Sequence, residues 1–275
     1  MSINKKLVVC LVAFALLVTS VVTGHAVEKS ILDKILEKGV VRVGMILTLP
    51  PIAYMDETGK PVGYEPDIAK ELADTLGVKL EIVELTGPSR VPAVAAGKCD
   101  VAIADFTRTL ERSKTVNFLE VPYMLVGVKY LVRADSPYKT LEGLQKAGNK
   151  LVLGFSRGGT SEIWAEKLLP DAQYKRFEHY GDLWMALKTG LTDVWSEDSI
   201  TADVYAKKYP DLCKVLPGVH SREDIVAAVA YGDFKWWHWL NLFFYELNAS
   251  GKNAELYKKW FGTEPPPLEG WTEIR

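Results

Sequence analysis

The sequence predicts an α/β fold in which parallel strands are covered by helices on both faces. Short runs rich in valine, isoleucine and leucine alternate with helical runs that carry one apolar face. Residues 101–104 contain no polar side chain, which is typical of a strand buried in a parallel sheet. A helix–turn–strand pattern also occurs once in each half of the chain. Strands that alternate with helices in this way form parallel sheets between helical layers.

The first half of the chain supplies three predicted strands and two predicted helices. The strands are expected at 40–43, 78–83 and 101–104, and the helices at 67–76 and 91–96. The first helix places its apolar residues on one face, and Gly77 follows it as a stop. Gly97 ends the second helix in the same way.

The second half repeats this alternation. Strands are expected at 151–153 and 194–195, and helices at 160–168, 183–188 and 200–208. Three consecutive prolines begin at Pro265, so the tail is expected to be extended.

One spaced pattern links the two halves. Five residues in the first half recur with the same spacing in the second: Ala93, Gly97, Asp100, Val101 and Asp105 match Ala186, Gly190, Asp193, Val194 and Asp198. In each copy a helix ends at glycine, a strand begins at valine, and an aspartate follows the strand. Open α/β sheets bind ligands at the carboxyl ends of their strands, so each half is expected to deliver one carboxylate there. Chance recurrence of a common helix-to-strand turn is the alternative.

The N-terminus has the pattern of a secretory signal peptide. Lys5 and Lys6 precede an apolar run at 7–22, and small residues lead to a cut after Ala26. A membrane anchor is the alternative, but the run of about 16 residues is shorter than the roughly 20 that a spanning helix needs. Residues 1–26 are therefore predicted to be a signal peptide, and the mature protein is expected in the periplasm.

The composition of the mature chain limits the classes of function it can have. Without the two lysines of the signal peptide it carries 31 basic against 35 acidic residues, a net charge of −4. That balance gives no electrostatic footprint for nucleic acid. No Cys-x-x-Cys motif or histidine cluster signals a metal or a cofactor, so neither is expected. Cys99 and Cys213 remain, and they could pair in an oxidising compartment.

Arg112 is the leading candidate for binding an anion. It comes shortly after the buried strand at 101–104, where a guanidinium can hold a carboxylate through two parallel hydrogen bonds. Thr107 can add a hydroxyl and a backbone N–H. A surface pair between Glu111 and Arg112 is an equal alternative on these residues alone.

Further candidates follow later strands. The run from Gly158 to Glu162 opens a helix, where free N–H groups bind anions, although a simple helix cap is an equal reading. Asp198 is a candidate partner for an ammonium group or the start of a helix. Tyr54 is a candidate aromatic wall of a pocket or a core residue.

In order and spacing, these segments resemble the polar amino-acid-binding proteins of ABC transporters, the periplasmic solute-binding protein family 3. The resemblance covers nearly the whole mature sequence. It is carried by several motifs, among them Gly63-Tyr64-Glu65-Pro66-Asp67, Thr107-x-Thr109-x-Glu111-Arg112, Gly159-Thr160-Ser161 and Tyr257-Lys258-Lys259-Trp260-Phe261-Gly262.

The resemblance implies a type II periplasmic-binding-protein fold, with two lobes joined by a two-strand hinge. Lobe 1 is then expected at 28–125 plus 229–275, and lobe 2 at 126–228. Cys99 and Cys213 fall in different lobes, which favours two buried thiols over a disulfide. The resemblance also implies a small amino-acid-like ligand held by hinge closure, a membrane permease as partner, and no catalysis. A monomer is expected.

The resemblance assigns roles to the candidate residues. Arg112 would grip the ligand α-carboxylate with Thr107 and Thr160, and Asp198 would take the α-ammonium. The other expected ligand-binding residues are Asp105, Ser161, Arg157, Tyr54, Glu197 and Arg90. Position 105 is usually glycine or serine in this family. Acidic side chains at 105 and 197 oppose basic ones at 90, 108 and 157, so the sequence leaves the preferred ligand charge open.

An enzyme is the alternative from a different class. Cyclohexadienyl dehydratases share this fold, and the Gly158 to Glu162 loop and residues 210–213 resemble theirs. In such an enzyme Glu162 would be a general acid that helps to expel a ring hydroxyl.

Overall fold

The computed structural model describes residues 29–266 of the 275-residue chain. The predicted signal peptide and most of the proline-rich tail lie outside the described residues. Residues 31–266 belong to one compact unit. Within the described range, no helix has the length and apolar character needed to cross a bilayer.

The α-helices of the described chain vary in length from six to sixteen residues. They are α1 (Ile31–Lys38), α2 (Tyr64–Leu76), α3 (Arg90–Ala95), α4 (Leu141–Ala147), α5 (Thr160–Leu168), α6 (Tyr180–Thr189), α7 (Ser199–Lys208), α8 (Phe234–Ala249) and α9 (Lys252–Phe261). Two single turns of 3₁₀-helix lie at Arg112–Lys114 and Gly148–Lys150.

The strands are short and fall mostly into two sheets. They are β1 (Val40–Met45), β2 (Thr48–Leu49), β3 (Ala53–Met55), β4 (Pro61–Val62), β5 (Lys79–Glu84), β6 (Val101–Ala102), β7 (Asn117–Phe118), β8 (Met124–Val126), β9 (Val128–Arg133), β10 (Val152–Ser156), β11 (Gln173–Phe177), β12 (Val194–Asp198), β13 (Cys213–Val215), β14 (Glu223–Ile225) and β15 (Ala228–Val229). β2, β3 and β4 form a small third sheet.

Each of the two main sheets is mixed. Sheet 1 has the order β5-β1-β6-β15-β7, in which β1 is parallel to β5 and β6 while β15 is antiparallel to β6 and β7. Sheet 2 has the order β11-β10-β12-β9-β13, in which β10 is parallel to β11 and β12 while β9 is antiparallel to β12 and β13. The antiparallel strand occupies the same place in both orders. The predicted α/β class is confirmed, with more antiparallel pairing than the sequence indicated.

Two neighbouring strands connect the sheets. β8 and β14 form an antiparallel pair in which Glu223 lies opposite Val126 and Ile225 lies opposite Met124. β8 carries the chain from β7 of sheet 1 to β9 of sheet 2, and β14 carries it back from β13 to β15. The predicted two-lobed fold with a two-strand hinge is therefore confirmed.

The repeated sequence pattern has a structural basis. Gly97 and Gly190 both have positive φ, 65° and 78°. The Asp100 Oδ2 atom accepts the backbone N–H of Arg42 at 2.8 Å. In sheet 2, the Asp193 Oδ2 atom accepts the N–H of Val152, also at 2.8 Å. In each sheet an aspartate ties the turn to the neighbouring parallel strand, so the two halves are built alike.

The hydrophobic core is shared between the lobes. One cluster covers a single face of sheet 2 and includes Val128, Tyr130, Val132, Leu153 and Phe155. The opposite face carries Leu131 and Trp195, and these belong to the main cluster that surrounds sheet 1. Helix α6 also contacts β2. The two lobes are therefore packed against each other.

The two cysteines of the described chain are free and buried, as expected. Burial raises the pKa of the Cys99 thiol to about 11, and that of Cys213 also to about 11. Because the thiolate is the reactive form, both thiols are unreactive at neutral pH.

Candidate functional site

Two carboxyl groups, one from each sheet, meet at the centre of the cleft. Asp105 follows β6, and Asp198 is the last residue of β12 and precedes α7. The Asp105 and Asp198 carboxyl groups lie close enough to interact directly. Two neighbouring carboxyl groups disfavour the state in which both are ionised. Strand β12 is longer than predicted, and the extra residues carry Asp198 into the cleft.

Burial governs the ionisation of this pair. Asp105 and Asp198 are each only 6% exposed. Burial raises the pKa of both groups, and the neighbouring acids raise the pKa of Asp198 further. Arg90 and Arg112 oppose the shift at Asp105. A pair of carboxyl groups whose pKa is raised can exchange a proton for the positive charge of a ligand.

Glu65 supports the pair from lobe 1. It lies in the first turn of α2, and its Oε1 accepts the backbone N–H of Asp105 and the hydroxyl of Tyr123, both at 2.6 Å. Burial and repulsion from Asp105 raise the pKa of Glu65 to about 8. Glu65 thereby fixes the backbone that presents Asp105.

Glu197 supports the pair from lobe 2. Its Oε1 accepts the backbone N–H of Asp198 at 2.9 Å, and its Oε2 accepts the Trp195 indole N–H at 2.8 Å. Burial raises the pKa of Glu197 as well. Its carboxyl group is tied to its own strand, so it positions Asp198.

Arg112 spans the cleft. Its guanidinium donates to the carbonyl of Thr107 at 2.5 Å and to the carbonyl of Gly158 at 2.8 Å. The group lies over the Phe106 ring, 5.2 Å from the centroid. Burial lowers the pKa of Arg112 to about 10, so the guanidinium stays charged at neutral pH. It has more donors than these two bonds use, which suits it to a carboxylate.

The structure does not show the alternative role for Arg112, in which it would pair with Glu111 at the surface. The Glu111 carboxylate is paired with Lys114 at 2.5 Å. The Arg112 side chain instead points between the lobes, because the 3₁₀ turn at Arg112–Lys114 directs it back over the loop after β6.

Arg90 holds the same loop in place. Its guanidinium donates to the carbonyls of Ala104 and Asp105 in lobe 1 and to the carbonyl of Gly158 in lobe 2, the last at 3.2 Å. It also lies 4.9 Å from the centroid of Phe106. Both arginines therefore lie beside the Phe106 ring and donate to the carbonyl of Gly158.

Glu223 is a functional candidate that sequence reasoning missed. It lies in the hinge strand β14 and is 4% exposed. Its Oε2 accepts the hydroxyls of Thr107 at 3.0 Å and of Thr160, while its Oε1 accepts the Ser221 hydroxyl at 2.9 Å. One carboxylate thus joins a predicted residue of each lobe. The only signal for Glu223 in the sequence was an acidic residue shortly before the apolar run at 225–229.

Three predicted residues lie outside this cluster. The Arg157 side chain is 53% exposed and pairs with Glu178 at 3.4 Å. Tyr54 packs edge-on against Trp260, with ring centroids 6.4 Å apart. Ser161 is buried, and its carbonyl accepts the Ser196 hydroxyl at 3.4 Å. Arg157, Tyr54 and Ser161 therefore remain predictions as ligand contacts.

The cleft continues into an open cavity beside the hinge. The cavity has a volume of about 410 Å³ and is lined by residues that include Thr107, Thr160, Trp164 and Glu223. A volume of this size suits a small organic molecule. Within residues 29–266, no group of three or more His, Cys, Asp or Glu side chains has an arrangement that could hold a metal ion.

Two lobes, a paired-strand hinge and a charged cleft between them are the features of a solute-binding protein. The chain belongs to the bacterial extracellular solute-binding proteins, family 3, whose model matches residues 41–263.

Individual relatives include both binders and an enzyme. A glutamine-binding protein from Geobacillus stearothermophilus is 33% identical over 196 residues, 70% of this chain and 73% of the relative. A cyclohexadienyl dehydratase from Pseudomonas aeruginosa is 29% identical over 215 residues, 78% of each chain. Among solved structures, an ancestral amino acid-binding protein described as a precursor of cyclohexadienyl dehydratase has 33% identity and a TM-score of 0.78. That match covers 84% of this chain and 99% of the other.

Proposed function

We propose that this protein is the periplasmic binding component of an ABC importer and that it binds an amino acid by hinge closure. The observation that supports this most strongly is the set of charged contacts that bridge the lobes. Arg112 reaches Gly158, and Glu223 joins Thr107 to Thr160. The glutamine-binding relative supports the amino-acid class of ligand.

Binding is expected to proceed in two steps. The α-carboxylate docks first on Arg112 and Thr107, because a charged guanidinium and a neighbouring hydroxyl suit its two oxygens. Lobe 2 then brings Thr160 and Asp198 over the ligand, and Asp198 receives the α-ammonium. Contacts made only in the closed state favour closure through their differential free energy.

The hinge strands support the proposed lobe boundaries. β8 ends at Val126 and β14 begins at Glu223, close to the boundaries proposed for lobe 1 (28–125 plus 229–275) and lobe 2 (126–228). The closed protein would present both lobes to a membrane permease. Export through the signal peptide at 1–26 and a monomeric state belong to the same proposal.

A thermal-shift screen of the mature protein against the twenty amino acids, polyamines and small carboxylates tests the proposal. A ligand at a hundred times its Kd stabilises the native state by about 2.7 kcal/mol, a shift of several degrees in Tm. At least one amino acid is expected to give such a shift. The absence of a shift in Tm with every amino acid would contradict the proposal.

A dehydratase is the second candidate, since one relative is a cyclohexadienyl dehydratase. The proposed general acid is Glu162, whose carboxylate is paired with Arg176 at 2.5 Å and whose side chain is 21% exposed. A general acid works best in a dry, closed site, whereas this carboxylate is ion-paired and partly exposed. The geometry therefore favours binding over catalysis.

Phenylpyruvate formation from prephenate, followed by ultraviolet absorbance, separates the two candidates. We expect no turnover. Turnover that is lost in Glu162→Gln but kept in Glu166→Gln would establish the enzyme, since both acids contact Arg176.

A further inference from the structure

We infer that the ligand is an amino acid with a cationic side chain and that Asp105 is the residue that sets this preference. The inference rests on the proposed function, and it names the ligand class of the same cleft. It is carried by the charge balance of the buried groups and by unpartnered oxygen atoms among them.

Buried carboxyl groups outnumber buried guanidinium groups in the cleft. Five acidic side chains are buried around it: Glu65, Asp105, Glu197, Asp198 and Glu223. Two guanidinium groups face them, those of Arg90 and Arg112. A zwitterionic amino acid adds no net charge and leaves the excess carboxyl groups without a positive partner, whereas a net cation supplies one.

The other basic residues that were predicted from the sequence to lie near the pocket do not offset the excess of carboxyl groups. Arg108 is paired with Asp224, and its side chain is 41% exposed. Arg157 is paired with Glu178, and its side chain is 53% exposed. Each of these guanidinium groups is neutralised outside the carboxyl cluster. The sequence left the preferred ligand charge open, and the buried acidic side chains of the cleft therefore decide it.

Two buried carboxyl oxygens have no hydrogen-bond partner among the described residues. They are the Asp105 Oδ1 and the Glu65 Oε2 atoms, and both residues are at least nine-tenths buried. An unsatisfied buried polar atom costs on the order of 1–3 kcal/mol, more when it is charged. An ammonium or guanidinium group supplies several donors and a positive charge, so a cationic ligand relieves both costs at once.

Asp105 is the acid that distinguishes this cleft. Glu65 and Glu197 are occupied with backbone N–H groups, and Glu223 is occupied with hydroxyls of both lobes. Asp198 is the proposed partner of the α-ammonium. Asp105 places a second carboxyl group beside Asp198. The α-ammonium of the ligand alone does not balance the charge of both groups.

The same arrangement predicts proton release on binding. Burial raises the pKa of both Asp105 and Asp198, and the groups that face the pair are Arg90, Arg112, Glu223, Glu197 and Glu65. A cation that binds there favours the ionised form of both acids and so promotes release of a proton. Affinity for a cationic amino acid should therefore rise with pH.

Calorimetric titration of the mature protein with L-arginine, L-lysine, L-glutamine and L-glutamate tests the inference. At pH 7, the tighter of arginine and lysine should bind at least about tenfold more tightly than either other amino acid. Asp105→Asn removes the charge and tolerates the positive φ of this position. It should reduce that ratio to less than about threefold. Asp211→Asn, at an exposed position, is the matched control and should keep the ratio.

The outcomes separate the two levels of the proposal. If no amino acid binds saturably, the proposed function fails and the inference fails with it. If glutamine or glutamate binds as tightly as arginine and lysine, the inference alone fails. An unchanged ratio in Asp105→Asn also overturns the role of Asp105. Titrations in buffers of different ionisation enthalpy should show proton release with the wild type and less with Asp105→Asn.

Discussion

Asp105 occupies an uncommon backbone conformation. Its φ of 47° lies in the left-handed region, which aspartate and asparagine enter more readily than most side chains. It is the one non-glycine residue of the described chain with positive φ. Glu65 and Arg90 hold this conformation through the N–H and the carbonyl of Asp105. Strained backbone persists where its surroundings determine it, and here those surroundings aim a carboxyl group at the other lobe.

The elevated pKa of Glu65 makes the ligand-free protein sensitive to pH. Its pKa is about 8 in the folded protein, against 4.5 as the ordinary value. Between those values the native state holds a proton that the unfolded state releases, so stability falls as pH rises through this window. The slope for one proton is at most about 1.4 kcal/mol per pH unit.

Urea unfolding of the ligand-free protein at pH 5 and pH 8 measures this effect. Glu65→Gln should flatten the loss of stability, because its amide carries no charge to desolvate. Glu81→Gln, at an exposed position of β5, should keep the wild-type pH dependence. Equal pH dependence in Glu65→Gln and wild type would show that Glu65 is not the group responsible.

Five of the candidate residues lie close together in the structure: Arg112, Thr107, Thr160, Asp105 and Asp198. The loops after parallel strands meet at one edge, which made this proximity predictable from the sequence, while the roles of these residues as ligand contacts remain predictions. The partners Glu65 and Glu223 were not predicted, since their roles depend on contacts between residues far apart in sequence. The direction of the Arg157 side chain could not be predicted either, because it depends on Glu178, which lies just after the neighbouring strand β11.

Helix α2 shows what limits prediction at the scale of an element. The sequence predicted its start at residue 67, but the helix begins at Tyr64. Pro66 is tolerated in the first turn because N–H groups there have no partner within the helix. No side chain caps this end, so the usual start signal is missing. The three extra residues bring Glu65 into the cleft.

Gly63 permits this helix start. Its φ is 136°, and a Cβ added there would lie 2.5 Å from the carbonyl oxygen of Ile52. We expect Gly63→Ala to destabilise the protein by more than about 1 kcal/mol, through both steric overlap and backbone strain. Gly59→Ala is the control, because its φ of 76° carries similar strain while its Cβ would have no neighbour within 4 Å. Equal losses in chemical denaturation would remove the packing explanation.

At the scale of the whole molecule, the pattern repeated in the two halves of the chain is the sequence feature that best predicts the function. The two copies of the glycine–aspartate pattern build similar turns, and the aspartates after β6 and within β12 then face each other across the cleft. The sequence predicted two such acids but not their contact, because the contact depends on how the lobes pack. The place of Glu223 in the hinge depends on the pairing of β8 and β14, which no local pattern specifies.

Glu223 is predicted to stabilise the closed molecule. Its Oε2 accepts hydroxyls from both lobes, and an amide at this position offers only one accepting oxygen for three donors. Glu223→Gln should weaken amino-acid binding about tenfold, which corresponds to about 1.4 kcal/mol. Small-angle scattering at partial saturation should show a larger radius of gyration than for wild type.

Glu246→Gln, at an exposed position of α8, is the control for this change and should bind as wild type does. If Glu223→Gln binds and closes as the wild type does, the carboxylate has no part in holding the lobes together.

The most direct test of the central claim is calorimetric titration of Arg112→Ala with the amino acid that binds the wild-type protein most tightly. We expect a folded variant whose affinity is reduced by at least about a hundredfold, because the ligand carboxylate loses its charged partner. Arg176→Ala, which removes a guanidinium from the far edge of sheet 2, should bind normally. Unchanged affinity in a folded Arg112→Ala protein would contradict an amino-acid carboxylate held between the two lobes by this residue.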